Sequence, residues 1–317
     1  DGRVERLTET SETELDAQIS KTGRYASFIV DQDLHVLDLH NRARRALTTD
    51  GAGDVSWGSA EFVAQEEMDR TEGHWWSPDD TQLVVARVDE AKVATVKRAA
   101  IGAEGTTTFE QKYPRAGTPN AQVDLYVFRL DAPTGAAPVR LDLGAQRDDY
   151  VARVSWTAKG DAVWVQRQSR DQRTLDLLAC TPSTGACRVR LTENARTWVN
   201  LTSDLRSMAS GRLLWTSERS GHRHVYAVER DGALTPLTQG AWDVAGVVGV
   251  DEVRGKVYLT GAVEDVRERH LYVVDLPKPG GAAKAPQRLT QPGAWHDVSM
   301  DKSATRALVT RSTPTQP

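Results

Sequence analysis

Arg190-Leu191-Thr192 returns as Pro236-Leu237-Thr238 and again as Arg288-Leu289-Thr290, and this recurring phrase decides the fold. Earlier copies are Arg6-Leu7-Thr8 and Leu47-Thr48, the latter after Ala46, with a degenerate one at Arg140-Leu141-Asp142. Successive Leu positions lie 40, 94, 50, 46 and 52 residues apart. Shortly after most copies stands an aromatic: Trp57, Tyr150, Trp198, Trp242 or Trp295. Several units then show a hairpin signal, as in Ser20-Lys21-Thr22-Gly23-Arg24, Ser77-Pro78-Asp79-Asp80 and Thr157-Ala158-Lys159-Gly160-Asp161. Each signal leads into a β-branched or alternating run: Tyr25–Val30, Leu83–Val88 and Ala162–Val165. A further strand follows, as at Leu34–Leu39, Leu125–Phe128, Val225–Val228 and Leu271–Val274. Four short antiparallel strands in roughly 45 residues have the size and content of a β-propeller blade.

The chain therefore reads as all-β over residues 1–317, a truncated segment of a β-propeller with four-stranded antiparallel blades. About five units are complete. Strands of an earlier blade are expected at 1–8 and the opening of a later one at 293–312. Asp1-Gly2-Arg3 reads as mid-domain, so a segment trimmed at both ends is the expectation. Period-2 alternation predicts that each strand buries one face of its blade against a neighbour. The nine Trp residues are expected in blade packing rather than ligand stacking.

Net charge is −4, from 40 basic and 44 acidic side chains, and no basic block breaks that balance. Nucleic acid is therefore not an expected partner. The longest apolar runs, such as Leu83–Ala86 and Val247–Val250, are strand-sized. None approaches the roughly 18 residues that span a bilayer as a helix. Cys180 and Cys187 bracket the turn-rich Thr181-Pro182-Ser183-Thr184-Gly185-Ala186 between two strand-like runs. Two readings stand: a hairpin disulfide, which implies an oxidising compartment, or two unpaired thiols on a loop. A zinc site would need two more ligands nearby, and the pattern offers none. No cofactor is expected.

The interval from Leu47 to Leu141 is twice a blade and is read as one blade with two excursions. The first, Ala60–Arg70, is acidic and suits a helical turn. The second, about Ala94–Gln111, is rich in Gly and Thr. Adjacent Glu66 and Glu67 would point to opposite faces of a strand, so acting on one ligand requires a helical turn or a bulge. Two carboxylates held together repel unless a cation sits between them. A primary ammonium, with three donors and one charge, satisfies both. On spacing alone a solvated acidic patch is the favoured reading, because adjacent Glu pairs are common.

Glu61-Phe62-Val63-Ala64-Gln65-Glu66-Glu67-Met68-Asp69-Arg70 followed by Trp75-Trp76-Ser77-Pro78 resembles the double-Glu segment of the dipeptidyl peptidase IV subfamily of prolyl oligopeptidases. Lys112-Tyr113-Pro114-Arg115-Ala116-Gly117-Thr118-Pro119-Asn120 is similar to a second segment of that family, as are Thr197-Trp198-Val199 and Ser217–Tyr226. Cys180 and Cys187 stand where relatives carry a hairpin disulfide. The resemblance runs over nearly the whole chain. It implies an eight-bladed propeller, of which this chain is part, capping an α/β-hydrolase domain. It also implies that Glu66 and Glu67 bind the free α-amino group of a peptide. That contact restricts a serine nucleophile on the hydrolase domain to the second peptide bond, so Xaa-Pro or Xaa-Ala dipeptides leave. The 94–111 arm matches one that contacts a second subunit, which implies a homodimer. Arg70 matches an Arg that follows the pair in some relatives; its role is left open, with a salt bridge that holds the turn as the favoured reading. Periplasmic or secreted residence is expected.

Two elements of that family are missing from this sequence. There is no Gly-x-Ser-x-Gly, hence no nucleophile elbow. The seven His residues, His35, His40, His74, His222, His224, His270 and His296, all lie in blade text, so no Ser–His–Asp triad is supported. An Arg that contacts the substrate carbonyl in relatives would precede residue 1. His222 and His224 share a strand face and imitate half a metal site, with a packed or surface role as the alternative. The expectation is a recognition domain that is not itself an enzyme. A stand-alone propeller scaffolding protein partners is the competing reading. A propeller enzyme with its own channel site is the third, and the carboxylate or metal-ligand cluster it needs is not in the pattern.

Overall fold

The computed structural model describes residues 2, 4–133, 135–145 and 148–316. The chain divides into two compact units, Asp1–Thr192 and Glu193–Pro317. No helix is long and apolar enough to cross a membrane among the described residues.

The first unit holds three blades. In the first, β1 (Leu15–Ile19), β2 (Tyr25–Val30), β3 (Asp33–Asp38) and β4 (Arg44–Ala46) pair in chain order. The second starts with β5 (Val55–Trp57), helix α1 (Phe62–Glu67), β6 (His74–Trp76) and β7 (Gln82–Asp89). It continues through a separate hairpin, β8 (Thr95–Gly102) with β9 (Gly105–Lys112), to β10 (Gln122–Arg129) and β11 (Val139–Arg140). The third blade is β12 (Tyr150–Trp156), β13 (Val163–Gln168), β14 (Thr174–Cys180) and β15 (Cys187–Asn194). The long interval is thus one blade with two excursions, as its text suggested.

In the second blade both β5 and β6 pair with β7, on Arg87–Asp89 and Leu83–Val85 respectively. They are two halves of one strand position. Between them Ala86 accepts from the Gly58 amide at 2.9 Å and donates to the Gly73 carbonyl at 2.8 Å. The first excursion therefore leaves and re-enters the sheet opposite a single residue. Gly73 is required there, because a Cβ at that position would meet the Ser59 backbone at 2.3 Å.

The second unit holds two full blades. They are β16 (Arg206–Ser207), β17 (Leu213–Ser217), β18 (His224–Val228) and β19 (Leu234–Pro236), then β20 (Val244–Asp251), β21 (Lys256–Gly261), β22 (His270–Asp275) and β23 (Gln287–Arg288). A two-stranded sheet follows, β24 (Trp295–Met300) with β25 (Ala307–Ser312), where a later blade was expected to open. The strands expected at 1–8 are not there. Asp1 and Arg3 lie outside the described residues, and the others in that range form no strand. Leu7 there is 42% exposed.

At three copies the Leu-Thr phrase has a physical reason, whereas Leu191-Thr192 lies inside β15 and Thr192 Oγ1 donates to Asp176 at 2.6 Å. After the fourth strand the Leu amide bonds to a residue of the third strand, and that residue's own amide donates to the Thr hydroxyl. Leu47 and Thr48 hold Leu34 in this way at 2.7 and 3.0 Å. Leu237 and Thr238 hold Val225 at 2.8 and 3.0 Å, and Leu289 and Thr290 hold Leu271 at 2.8 and 3.2 Å. A hydroxyl replaces the ladder bond that the outgoing chain no longer supplies. Asp142 breaks the pattern in the second blade, where Leu141 still bonds Leu125 but Asp142 turns to the Gly144 amide.

Burial corrects the one-face expectation. On β7, Leu83 and Val85 pack with Ile29, Leu34 and Val36 of the first blade, while Val84 and Ala86 pack with Val154, Val163 and Val165 of the third. A strand buried on both sides reads as a continuous apolar run rather than an alternating one. Each such Leu, Ile or Val side chain contributes roughly 1.5–3 kcal/mol by leaving water. The Trp expectation needs correction at two positions as well. Trp57, Trp76, Trp164, Trp215 and Trp242 are buried, but Trp198 and Trp295 are 58% and 43% exposed.

Candidate amine-binding turn

Glu61 and Arg70 frame the first excursion. Their side chains are 5% and 4% exposed, and Arg70 Nη2 donates to Glu61 Oε2 at 2.7 Å. Arg70 also donates to the Glu72 carbonyl at 2.6 Å and, through Nε, to the Val151 carbonyl of β12 at 3.2 Å. Burying such a pair is costly unless further hydrogen bonds complete it, and here the carbonyls supply them. The Arg70 amide closes the turn on the Ala64 carbonyl at 2.9 Å, with Asp69 in the left-handed region at φ 52. Asp tolerates that conformation better than most side chains. The expected salt-bridge role for Arg70 is therefore observed, with Glu61 as its partner.

Within this frame the helix is a single turn and a half. Ala64 and Met68, four residues apart, are buried and turn the helix toward the blade, leaving Gln65, Glu66 and Glu67 exposed. On a helix adjacent side chains diverge by about 100° rather than the 180° of a strand, so both carboxylates face solvent on one side. Among the described residues neither Glu66 nor Glu67 is in an ion pair. Phe62 packs its ring against Tyr113 at a centroid distance of 5.1 Å. Two segments 51 positions apart in the sequence, the double-Glu run and the Tyr113-Pro114 run, are thereby joined in one substructure.

Sequence reasoning missed Glu61 as the partner of Arg70. Only its place just ahead of the helical run marked it, and nothing in the pattern marks a carboxylate as buried. It also missed Arg153. This residue lies half-buried on β12 beside a register shift, and burial, then the nearby Arg70 charge, lowers its affinity for the proton.

Cys180 and Cys187 form a disulfide that closes the β14–β15 hairpin, with Cα atoms 4.0 Å apart. The unpaired-thiol reading falls. His224 is buried and committed on both nitrogens: the Thr238 hydroxyl lies 3.0 Å from Nδ1 and the Gly240 carbonyl 3.0 Å from Nε2. The carbonyl can only accept, so Nε2 carries the proton. His222 lies near Asp243 instead, at 3.3 Å. Among the described residues no group of three or more His, Cys, Asp or Glu side chains is placed to hold a metal ion. The β8–β9 hairpin occupies the second excursion and is exposed along most of its length, including Ile101 at 85% and Phe109 at 48%.

Residues 1–317 match the family described as the dipeptidyl peptidase IV (DPP IV) N-terminal region. A putative dipeptidyl aminopeptidase of Schizosaccharomyces pombe is 26% identical over 283 residues, covering 82% of this chain and 35% of that protein. Inactive dipeptidyl peptidase 10 of Rattus norvegicus is 26% identical over 266 residues, covering 79% of this chain and 33% of its own length. The crystal structure of Porphyromonas gingivalis dipeptidyl peptidase 4 superposes with a TM-score of 0.84 at 24% identity, over 96% of this chain and 43% of that one. This last likeness establishes the β-propeller fold class. The chain spans about a third of the length of these curated relatives.

Proposed function

The chain belongs to the family of dipeptidyl peptidase IV N-terminal regions, and on that premise we propose that it is the substrate-gating propeller of a dipeptidyl peptidase, in which Glu66 and Glu67 bind the free α-amino group of a peptide. One observation carries the reading: two adjacent carboxylates stand exposed on a helical turn whose ends are locked by the buried Glu61–Arg70 pair. A flexible acidic loop would lose much of its binding energy in ordering itself, and a turn held from beneath does not. The ammonium lies between like charges that otherwise repel, which favours a cation at that spot over a neutral or blocked terminus.

With the amine fixed, the second peptide bond is the one within reach of a serine nucleophile on the parent's α/β-hydrolase domain, and Xaa-Pro or Xaa-Ala dipeptides are released. This chain gates and the other domain cleaves. The exposed β8–β9 arm serves as a contact between two copies of the parent. The Cys180–Cys187 disulfide supports periplasmic or secreted residence. Finding both thiols free in protein taken from its source would remove that support.

The test is cleavage of Gly-Pro-chromophore by the full-length parent, with a free and with a blocked amino terminus, for wild type and for Glu66→Ala/Glu67→Ala. Cleavage of the free substrate alone, with a loss of at least about a hundredfold in kcat/KM in the variant, is the expected result. Equal cleavage of the blocked substrate, or an unaffected variant, rejects the amine clamp. The rat relative's designation as inactive favours a second reading, an interaction scaffold without peptide release. A parent that leaves both substrates intact supports that reading.

A further inference from the structure

In the second unit a cavity of about 350 Å³ opens between the 194–202 loop and the turn after β17. One wall is the indole of Trp198, at the repeat position whose other members Trp57, Tyr150 and Trp242 are buried. Trp295, also exposed at that position, has the Arg269 guanidinium over its ring at 5.4 Å. Among the described residues no cation lies over Trp198. The indole is nonetheless held: Nε1 donates to Asn200 Oδ1 at 3.2 Å. Asn200 Nδ2 in turn donates to both carboxylate oxygens of Glu218, at 2.9 and 2.8 Å. An indole N–H can only donate and a carboxylate can only accept, so these bonds fix the amide orientation and set indole and carboxylate side by side.

Four charged side chains line the cavity, Glu193, Glu218, Arg219 and Arg223, and both guanidinium groups are held by carboxylates. Arg219 is paired with Glu193, and Arg223 with Asp204 at 2.8 Å. Glu193 further accepts from Trp215 and Ser217 at 2.8 and 2.9 Å. Glu218 has no cation within ion-pair distance among the described residues, and its partner Asn200 is neutral. With Arg219 taken by Glu193 and Arg223 by Asp204 from outside the lining, the Glu218 carboxylate has no cationic partner among the described residues beside the 58% exposed Trp198 indole. An organic cation meets both demands, by charge-assisted hydrogen bonding to the carboxylate and by cation–π attraction to the indole. A cavity of this volume admits a long side chain and its adjoining peptide unit, at the lower end of the usual range for ligand sites.

We propose that this cavity is a binding subsite for a cationic peptide side chain, a guanidinium or ammonium group stacked on Trp198 and paired with Glu218. The site lies wholly within the second unit and does not rest on the role of Glu66 and Glu67.

The test is a ligand-observed NMR titration of the protein with N-acetyl-arginine amide and with N-acetyl-citrulline amide, its neutral near-isostere. Blocked termini leave no free amine for the Glu66–Glu67 turn, so failure of one site is distinguishable from failure of the other. The arginine compound is expected to bind about tenfold tighter than the citrulline compound. Glu218→Gln should bring the two within about twofold, and Trp198→Ala should weaken the arginine compound about fivefold, with Trp198→Phe retaining most of the affinity. Equal affinity for the two compounds, binding by neither, or an undiminished preference in Glu218→Gln overturns the proposal. Both side chains are exposed, and an unchanged circular dichroism spectrum confirms that the variants fold.

Discussion

His74 has no exposed surface, and both of its ring nitrogens are committed. Trp76 donates to Ser27 Oγ at 2.9 Å, and His74 Nε2 lies 2.9 Å from the same hydroxyl, which donates to it when the ring is neutral and Nδ1 faces a carbonyl that can only accept. Nδ1 then holds the proton and donates it to the Gly58 carbonyl at 3.1 Å. The ring is neutral, and a second proton on Nε2 would leave the Ser27 hydroxyl hydrogen without an acceptor. Burial pushes the His74 pKa below its ordinary 6.5, outweighing the Gly58 carbonyl and the Asp16 and Glu72 charges. In the unfolded chain the ring regains its ordinary proton affinity. Stability from this residue is therefore complete above pH 6.5 and declines as pH falls below it, because the unfolded state takes up the proton first. The expected decline is up to about 1.4 kcal/mol per pH unit, and His74→Gln should lose that part of the slope. Urea midpoints at pH 7 and pH 5 check it, and a wild-type slope no steeper than the variant's contradicts the account. None of this was legible in the sequence, where His74 was one of seven histidines in blade text. Its burial depends on Ser27 and Gly58, neither adjacent in the chain.

At the scale of elements, α1 is too short to persist by its own hydrogen bonds, since a helix of this length does not repay its nucleation. It exists because Glu61 and Arg70 close around it and Ala64 and Met68 are buried beneath it. Arg70→Met leaves the Glu61 carboxylate buried without its cation and should destabilise the protein by about 3–5 kcal/mol. Glu61→Met/Arg70→Met removes both charges and should recover most of that loss. Thermal denaturation of the single and double variants decides the matter. A double variant no better than the single would mean that the carbonyl contacts of Arg70, not the ion pair, hold the turn. Blade boundaries were legible at this scale because they rest on local chemistry. The Leu-Thr clasp lies within one blade, and turn residues such as Gly23 and Asp80 take positive φ where the hairpins reverse. The two-sided burial of β7 was less so, because an apolar run does not say which neighbours cover it.

For the molecule as a whole, no residue of the β8–β9 arm enters a blade core cluster among the described residues. An isolated two-stranded hairpin is marginal in water, and one that carries exposed Ile101 and Phe109 gains from being covered. If the arm joins two copies of the parent as proposed, replacing residues 94–111 in the full-length parent with a short Gly-Ser link should leave the blades folded and yield a monomer in sedimentation where the wild type sediments as a dimer. An unchanged dimer places the contact elsewhere. The balanced charge, net −4, leaves no whole-surface field to steer a nucleic acid.

The sequence by itself determined the blade, its count and its order, because period-2 strands, turn residues and a Leu-Thr clasp act over a few tens of residues. It offered Cys180 and Cys187 as one of two readings, the hairpin disulfide that the structure shows, while Glu66 and Glu67 were singled out by resemblance rather than by their spacing. Tertiary structure alone decided which groups are buried and what they face. Arg70 with Glu61, His74 with Ser27, and Trp198 held outside while Trp242 packs inside all depend on segments that only folding brings together. The reason is dielectric as much as geometric. A charge or an indole has the same letter in water and in a core, and the environment that sets its chemistry is supplied by residues distant along the chain.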